Sequence, residues 1–300
     1  MKPNDLTILF LTHNKPVLLR EALSTMNAYA PHPYSCVVMA NGCDQANLDA
    51  SYRIAKDAGV GFYYSMNKNP LHNIKEFAES LSTKCFCWCH DDVGFVPGNP
   101  CFWQHLLAPF DSDMVAATGP VSNASDGYQH YLWVDAPPYV KVHNLHIPLT
   151  MWNTSIYKKL GGHDLSMENG MDVDLSIRAH QCGYDLVVAR NAYMNHVGGA
   201  TQESINELKS ASDSYWWVQK TGEKMDNDLI KKHGVAVWAD YGSRSHETAQ
   251  TRIFHGYSFK AMSKALSRKP QEFRCVSQLA EETGLDPVQC EFESRRTHQL

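Results

Sequence analysis

The chain reads as an α/β protein built on a largely parallel sheet, and three observations predict it. Short, nearly all-apolar, β-prone runs recur along the first two thirds. Segments whose apolar residues repeat at helical spacing separate them, and several of these segments stop at a glycine. At 300 residues and 43% hydrophobic, the chain can bury a full core. Strands alternating with helices make parallel sheets, and strands buried on both faces read as continuous apolar runs.

The elements follow in order. "LTILFLT" (6–12) is a strand, and "NKPVLLREALSTMNAY" is a helix with Val17, Leu18, Ala22 and Met26 on its inner face. "YSCVVMANGCD" is a strand running into a glycine turn, and "NLDASYRIAKDAG" is a helix with a glycine stop. "VGFYYSMN" is the third strand. "NIKEFAESLS" is the third helix, with Ile74, Phe77, Ala78 and Leu81 inward, and "CFCWCHDDV" is the fourth strand. "MVAATGPV" (114–121) is a further strand, whereas "DGYQHYLWVDAPPYVKVHNLHIP" suits loops over a cleft. "TSIYKKLGGHD" is a short helix stopped by a glycine pair, "MDVDLSIRAHQCGY" is a clear helix and "DLVVA" a strand. "ESINELKSASDSYWWVQKTG" suits a helix that closes the domain. The expected division is an α/β domain over 1–224 and a helical C-terminal extension over 225–300. In parallel sheets the ligand sits beyond the carboxyl ends of the strands.

Composition narrows the function. A net charge of -5 argues against a nucleic-acid partner, which would call for a basic surface. No apolar run approaches the ~20 residues of a membrane span. The start "MKPNDLTILFLTHN" lacks the layout of a signal peptide, so a cytoplasmic location is expected. The nine scattered cysteines are then expected as free thiols.

Residues 85–93, "CFCWCHDDV", pose the main chemical question: thiolate zinc site, or strand delivering carboxylates to an oxygen-loving metal. Zinc sites space cysteines as C-x2-4-C on turns. Here alternate strand residues share one face, about 6.5–7 Å apart, and cannot close round one tetrahedral ion. The cysteines are therefore expected under a helix. Asp91 and Asp92 fall where the strand ends. Two adjacent carboxylates repel unless a cation neutralises them, and Mg²⁺ or Mn²⁺ with a substrate's phosphates is the natural partner. A solvated turn containing "DD" is the bland alternative.

Four stretches taken together, over roughly residues 5–200, resemble the GT-A glycosyltransferases, specifically family 2. "LTILFLTHNKPVLLREAL" resembles the first strand and helix, and "CVVMANGCD" the second strand with its nucleotide-binding turn. "CFCWCHDDV" resembles the strand leading to the DxD-type metal motif. "LGGHDLSMENGMDVDLSIRAHQCGY" resembles "GGFDE…GEDVDLSLRLRRAGY", which carries the catalytic base. Three positions depart from the pattern: Ala40 replaces an aspartate, "MD" (171–172) replaces "ED", and "LHN" (71–73) replaces "ARN".

The resemblance implies a metal-dependent, inverting transfer of a sugar, from a UDP-sugar first of all, to a glycan, lipid-linked or other hydroxyl acceptor. It places Thr12, His13 and Asn14 near the base and ribose. Asn41 or Asp44 would take over nucleoside recognition from Ala40, with Gly42 between them, and Asn67 and Asn73 would assist. Asp92 would ligate the metal, Asp91 would contact ribose or metal, and His196 would complete the metal shell. Asp172 would be the general base, with helix capping as its ordinary alternative. Asp174 would play support, and Glu168 is a further carboxylate nearby. Trp133, Tyr139 and Trp152 either stack on sugar rings or fill the core. Arg244 and Arg252, in a locally basic extension, would close over the diphosphate. Two other classes compete: a nucleotidyltransferase, disfavoured because "LTHNKPVLL" has no glycine-rich phosphate loop, and a non-catalytic nucleotide- or carbohydrate-binding protein of the same fold.

Overall fold

The computed structural model describes residues 5–67, 69–123, 129, 137–145, 148–167, 170–197 and 231–233. Nine strands form one sheet among these residues: β1 (Leu6–Thr12), β2 (Ser35–Asn41), β3 (Gly61–Ser65), β4 (Cys85–His90), β5 (Val93–Phe95), β6 (Val115–Ser122), β7 (Tyr139–Val142), β8 (Leu149–Asn153) and β9 (Asp185–His196). Their order is β3-β2-β1-β4-β8-β6-β9-β5, with β7 also pairing β9. The helices are α1 (Pro16–Tyr29), α2 (Gln45–Asp57), α3 (Pro70–Ser80), α4 (Phe102–Leu107), α5 (Thr154–Lys159) and α6 (Met171–Gln181).

The β3-β2-β1-β4 half is parallel, as expected. The other half is mixed: β6 runs parallel to β9, while β8 is antiparallel to β4 and β6, and β5 and β7 are antiparallel to β9. Strand periodicity sorts the core into two layers. Leu6, Ile8 and Phe10 pack with Cys85, Cys87 and Cys89 against Leu19, Ala22, Leu23 and Met26 of α1. Leu9, Leu11, Phe86 and Trp88 face the opposite layer with residues of α3, α5 and α6. The alternation in "CFCWC" thus puts thiols on one side and aromatics on the other.

Several expectations need correction. Val17 is 70% exposed, and the buried face of α1 runs instead through Leu19, Ala22, Leu23 and Met26. Helix α3 begins at Pro70, three residues before the expected start, because Asn69 caps it by accepting from Leu71 N. Strands β5, β7 and β8 and helix α4 were not anticipated. Strand β8 lies at the centre of the sheet, yet its five residues, "LTMWN", are too few to show a period. Glu168, Trp133, Arg244, Arg252, the expected helix after residue 201 and all of the extension except 231–233 lie outside the described residues. No helix among the described residues is long and apolar enough to cross a membrane.

Candidate active site and metal centre

The parallel register of β1, β2 and β4 brings three strand ends to one edge. Leu11 stands opposite His90, so Thr12 lies next to Asp91, and Thr12 also pairs with Ala40 beside Asn41. The chain leaves β1 through His13, whose Nδ1 lies 2.7 Å from Asn41 O. Asn14 follows with φ 56°, in the left-handed region that asparagine tolerates, and its Oδ1 accepts from Asp44 N at 3.0 Å. Gly42, at φ 54°, donates its N–H to Ser65 O at 2.8 Å. Asp44 is the N-cap of α2, accepting from Asn47 N at 2.9 Å, a bond that holds its carboxyl below the usual value.

A buried amide pair lies beneath this edge. Asn73 Nδ2 donates to Asn41 Oδ1 at 2.6 Å and to Asn67 O at 2.9 Å, while Asn73 Oδ1 accepts from Ser65 Oγ at 2.8 Å. With its amide so engaged, Asn73 positions Asn41. Asn41 Nδ2 has only a 3.4 Å bond to Met39 O.

Asp91 and Asp92 are both buried at the turn after β4. Burial pushes the Asp91 carboxyl up to about 7, and the charge of Asp92 adds to this, while the Thr12 hydroxyl and the His13 N–H pull the other way. At Asp92 burial also pushes upward, but His196 and His90 outweigh it and leave the carboxyl below its ordinary value. His196 Nε2 lies 3.3 Å from Asp92 Oδ2, and His90 Nδ1 lies 4.0 Å from Asp92 Oδ1. His90, Asp92 and His196 each offer one ligand atom, all within 4.8 Å of one another. Asp91 Oδ2, Asp92 Oδ1 and His196 Nδ1 are buried without a hydrogen-bond partner. Buried polar atoms left unpaired in this way are costly, and a divalent cation held by the cluster would give Asp92 a partner. One carboxylate and two imidazoles fit such a cation.

Local pairing fixes this cluster. Val93 pairs with His196 in the β5·β9 ladder, and Val197 N donates to Asp92 O at 3.0 Å. Asn123 grips His196 from the other side, accepting from its N at 2.7 Å and donating to its O at 3.2 Å. His90 and Asn123 escaped sequence reasoning. His90 had a readable signal: it precedes Asp92 by two positions, as the first acid of a DxD motif does. Asn123 had none, because its role depends on pairing with a distant strand.

Asp172 is not one of these three residues; it lies in the first turn of α6, which packs against β9. It keeps some exposed surface, yet burial pushes its carboxyl up to about 6, with the charge of Asp174 adding and nearby backbone N–H groups opposing. The α6 N-cap is Gly170, so no side chain caps the helix there. Asp174 is fully buried and bound to Arg178, whose Nε and Nη2 lie 2.9 and 2.7 Å from Oδ2. Trp152 belongs to the core, 2% exposed and stacked on Trp88 with ring centroids 6.2 Å apart. Tyr139 is 40% exposed on β7. Cys85, Cys87 and Cys89 are buried thiols that form no disulfide, and among the described residues the side chains grouped so that they could hold a metal are His90, Asp92 and His196.

No family model matches the chain, and no curated protein matches it by sequence. Solved structures do. GalNAc-T7 with UDP, GalNAc and Mn²⁺ superposes with a TM-score of 0.58 at 13% identity, over 90% of this chain and 58% of that one. The chain therefore spans little more than half of that protein's length. The mannosyltransferase PcManGT from Pyrobaculum calidifontis, in complex with GDP-Man and Mn²⁺, superposes with a TM-score of 0.57 at 11% identity, over 99% of this chain and 86% of that one. Identities this low establish the architecture alone: a mixed α/β sheet flanked by helices, which is the GT-A fold of glycosyltransferases.

Proposed function

We propose that the chain is a metal-dependent glycosyltransferase that moves a sugar from a nucleotide-diphosphate sugar to a hydroxyl acceptor. The observation that carries this reading is the His90–Asp92–His196 cluster at the carboxyl edge of a GT-A sheet, where open α/β sheets bind ligands. The solved structures of this fold named above hold Mn²⁺ with UDP or GDP-Man.

His90, Asp92 and His196 would hold the cation. Two imidazoles favour Mn²⁺ over Mg²⁺, which prefers an all-oxygen shell. Bound there, a cation would supply Lewis-acid neutralisation of the charge that develops as the nucleotide leaves. Thr12, His13, Asn14, Asn41, Asp44 and Asp91 line the nucleoside side, with Asn73 fixing Asn41. Asp172 takes the acceptor hydroxyl's proton while that oxygen attacks the anomeric carbon. The bond to the diphosphate oxygen breaks on the opposite face, so the anomeric centre inverts. A carboxyl raised to about 6 is suited to a general base working near neutral pH.

The test is a panel of UDP- and GDP-sugars with Mn²⁺ or Mg²⁺, following nucleoside diphosphate release and sugar transfer. Release or transfer that requires the cation and is lost in Asp92→Ala supports the reading. Absence of both with every donor, together with no cation-dependent nucleotide binding, overturns it.

A further inference from the structure

Two residues far along the chain reach into the helix that carries the proposed base. Asp174 Oδ1 lies 2.8 Å from Lys232 Nζ and 2.8 Å from His233 Nε2. Lys232 Nζ also lies 2.5 Å from Asp164 Oδ2, in the loop after the Gly161–Gly162 pair. Asp164 Oδ1 holds that loop in turn, accepting from Ser166 N at 2.9 Å and Ser166 Oγ at 2.7 Å. On its other oxygen Asp174 binds Arg178, which donates onward to Leu160 O and to Gly162 O at 2.8 Å. Two acids, Asp164 and Asp174, and three basic side chains, Arg178, Lys232 and His233, therefore form one network, with the side chains of Asp174 and His233 0% and 1% exposed.

We propose that Lys232 and His233 are positioning residues for the Asp172 base, an inference that rests on the functional reading above. Helix α6 has no side-chain cap, so its first turn depends on what Asp174 is tied to. Arg178 alone ties Asp174 to its own helix and to the turn after α5. Lys232 adds the cross-link to Asp164 and so sets the first turn of α6 against the 162–167 loop. Without it, Asp174 keeps Arg178 and His233 as partners, while Asp164 loses its counter-charge and the two carboxylates are no longer joined through a shared cation. Burying four charged groups is a poor route to stability compared with apolar packing. What the arrangement supplies is a fixed geometry for the turn that bears Asp172.

The experiment uses the full chain with Lys232→Met, Lys232→Arg and His233→Asn. It reads transfer kinetics, calorimetric binding of UDP with Mn²⁺, and hydrogen exchange of the 171–175 amides. Lys232→Met is expected to lower kcat by about ten- to a hundredfold, the scale of a small misplacement of a reacting group. Nucleotide binding should change less than about twofold, and exchange in the first turn of α6 should accelerate. His233→Asn should give a smaller loss, and Lys232→Arg should restore most of the rate. Combined with Asp172→Asn, Lys232→Met should cost no further rate. Should Lys232→Met prove insoluble, Asp164→Asn removes the same cross-link while leaving Asp174 neutralised. Unchanged exchange at 171–175 overturns the proposal whatever the activity, as does a rate loss fully additive with Asp172→Asn. A wild-type chain that neither binds nucleotide nor transfers sugar sinks the functional reading instead.

Discussion

His196 Nε2 stands 3.3 Å from Asp92 Oδ2, although Asp92 lies in the turn between β4 and β5 and His196 at the far end of β9, the two brought together by the β5·β9 ladder. The spacing is close enough for an ion pair, and a shared cation would take both side chains as ligands. Asp92→Ala and His196→Ala should therefore each abolish or strongly weaken Mn²⁺-dependent nucleotide binding while leaving the fold intact. Calorimetry with UDP and GDP, with and without Mn²⁺, checks this. Affinity that is equal with and without the cation would remove the metal from the account.

In the proposed site, His90 should set the choice of cation. Replacing it by aspartate exchanges an imidazole for a hard oxygen ligand. His90→Asp should raise Mg²⁺-supported turnover relative to Mn²⁺-supported turnover by about tenfold. Parallel assays over a range of each cation give the ratio.

Asp172 should govern the acid side of the rate profile. Its folded carboxyl sits at about 6, above the ordinary value of 3.8, and the base works only when ionised. Turnover should thus rise through about pH 6 and level off above it. Asp172→Asn should lower kcat by about 10²–10⁴-fold with donor affinity nearly unchanged. Full turnover in that variant would place the base on another residue.

Asp164 and Asp174 should make the protein acid-labile. Burial disfavours both carboxylates, but Lys232 brings Asp164 down to about 2, and Arg178, His233 and Lys232 hold Asp174 far below its usual range. Depressed folded values mean that the unfolded chain binds more protons in acid. This stabilisation is complete above about pH 5 and is lost as pH falls through 4 toward 2. Asp164 accounts for about 2 kcal/mol of it. Urea titrations at pH 6 and pH 3, repeated on Lys232→Met, should show the acid loss shrink in the variant.

The cysteines of β4 should be inert. Burial pushes the Cys85 thiol, and that of Cys36 on neighbouring β2, up to about 12, and raises the Cys87 and Cys89 thiols well above the ordinary value. Among the described cysteines, exposed Cys101 should be alkylated first and the β4 thiols only after unfolding. Mapping alkylated peptides by mass spectrometry decides this. Stoichiometric zinc that resists EDTA and disappears on replacing Cys85, Cys87 and Cys89 by serine would contradict the structure.

The parallel half of the sheet was legible because burial on both faces writes itself into sequence as unbroken apolar runs such as "LTILFLT". The mixed half was not. Strand β8 is five residues long, and β7 lies inside a stretch whose prolines and polar residues read as loop. For the site, short motifs at strand ends pointed to Thr12, Asn41, Asp91 and Asp92, since strand direction alone dictates which edge they reach. Asn123, Lys232 and His233 were beyond such reasoning. Their partners are set by long-range packing, and nothing within a few residues of any of them announces it. Val17 misled for a related reason: a helical period of 3.6 fits more than one face, and the covering strands choose among them.

Because β4 is flanked by β1 on one side and by β8 on the other, the strand that leads to Asp92 is complete only after the chain has returned from residue 153. His196 arrives later still, at the end of β9. The proposed cation pocket is thus assembled from two distant segments, residues 90–92 and residue 196. Its ligands cannot converge in a half-made chain, and closing such distant pairs is the slow part of building a sheet. Metal affinity, if the proposed site binds Mn²⁺, would therefore double as a gauge of maturation: a chain released before β9 has docked should hold Mn²⁺ no better than a random coil, and a finished one should gain melting temperature from it.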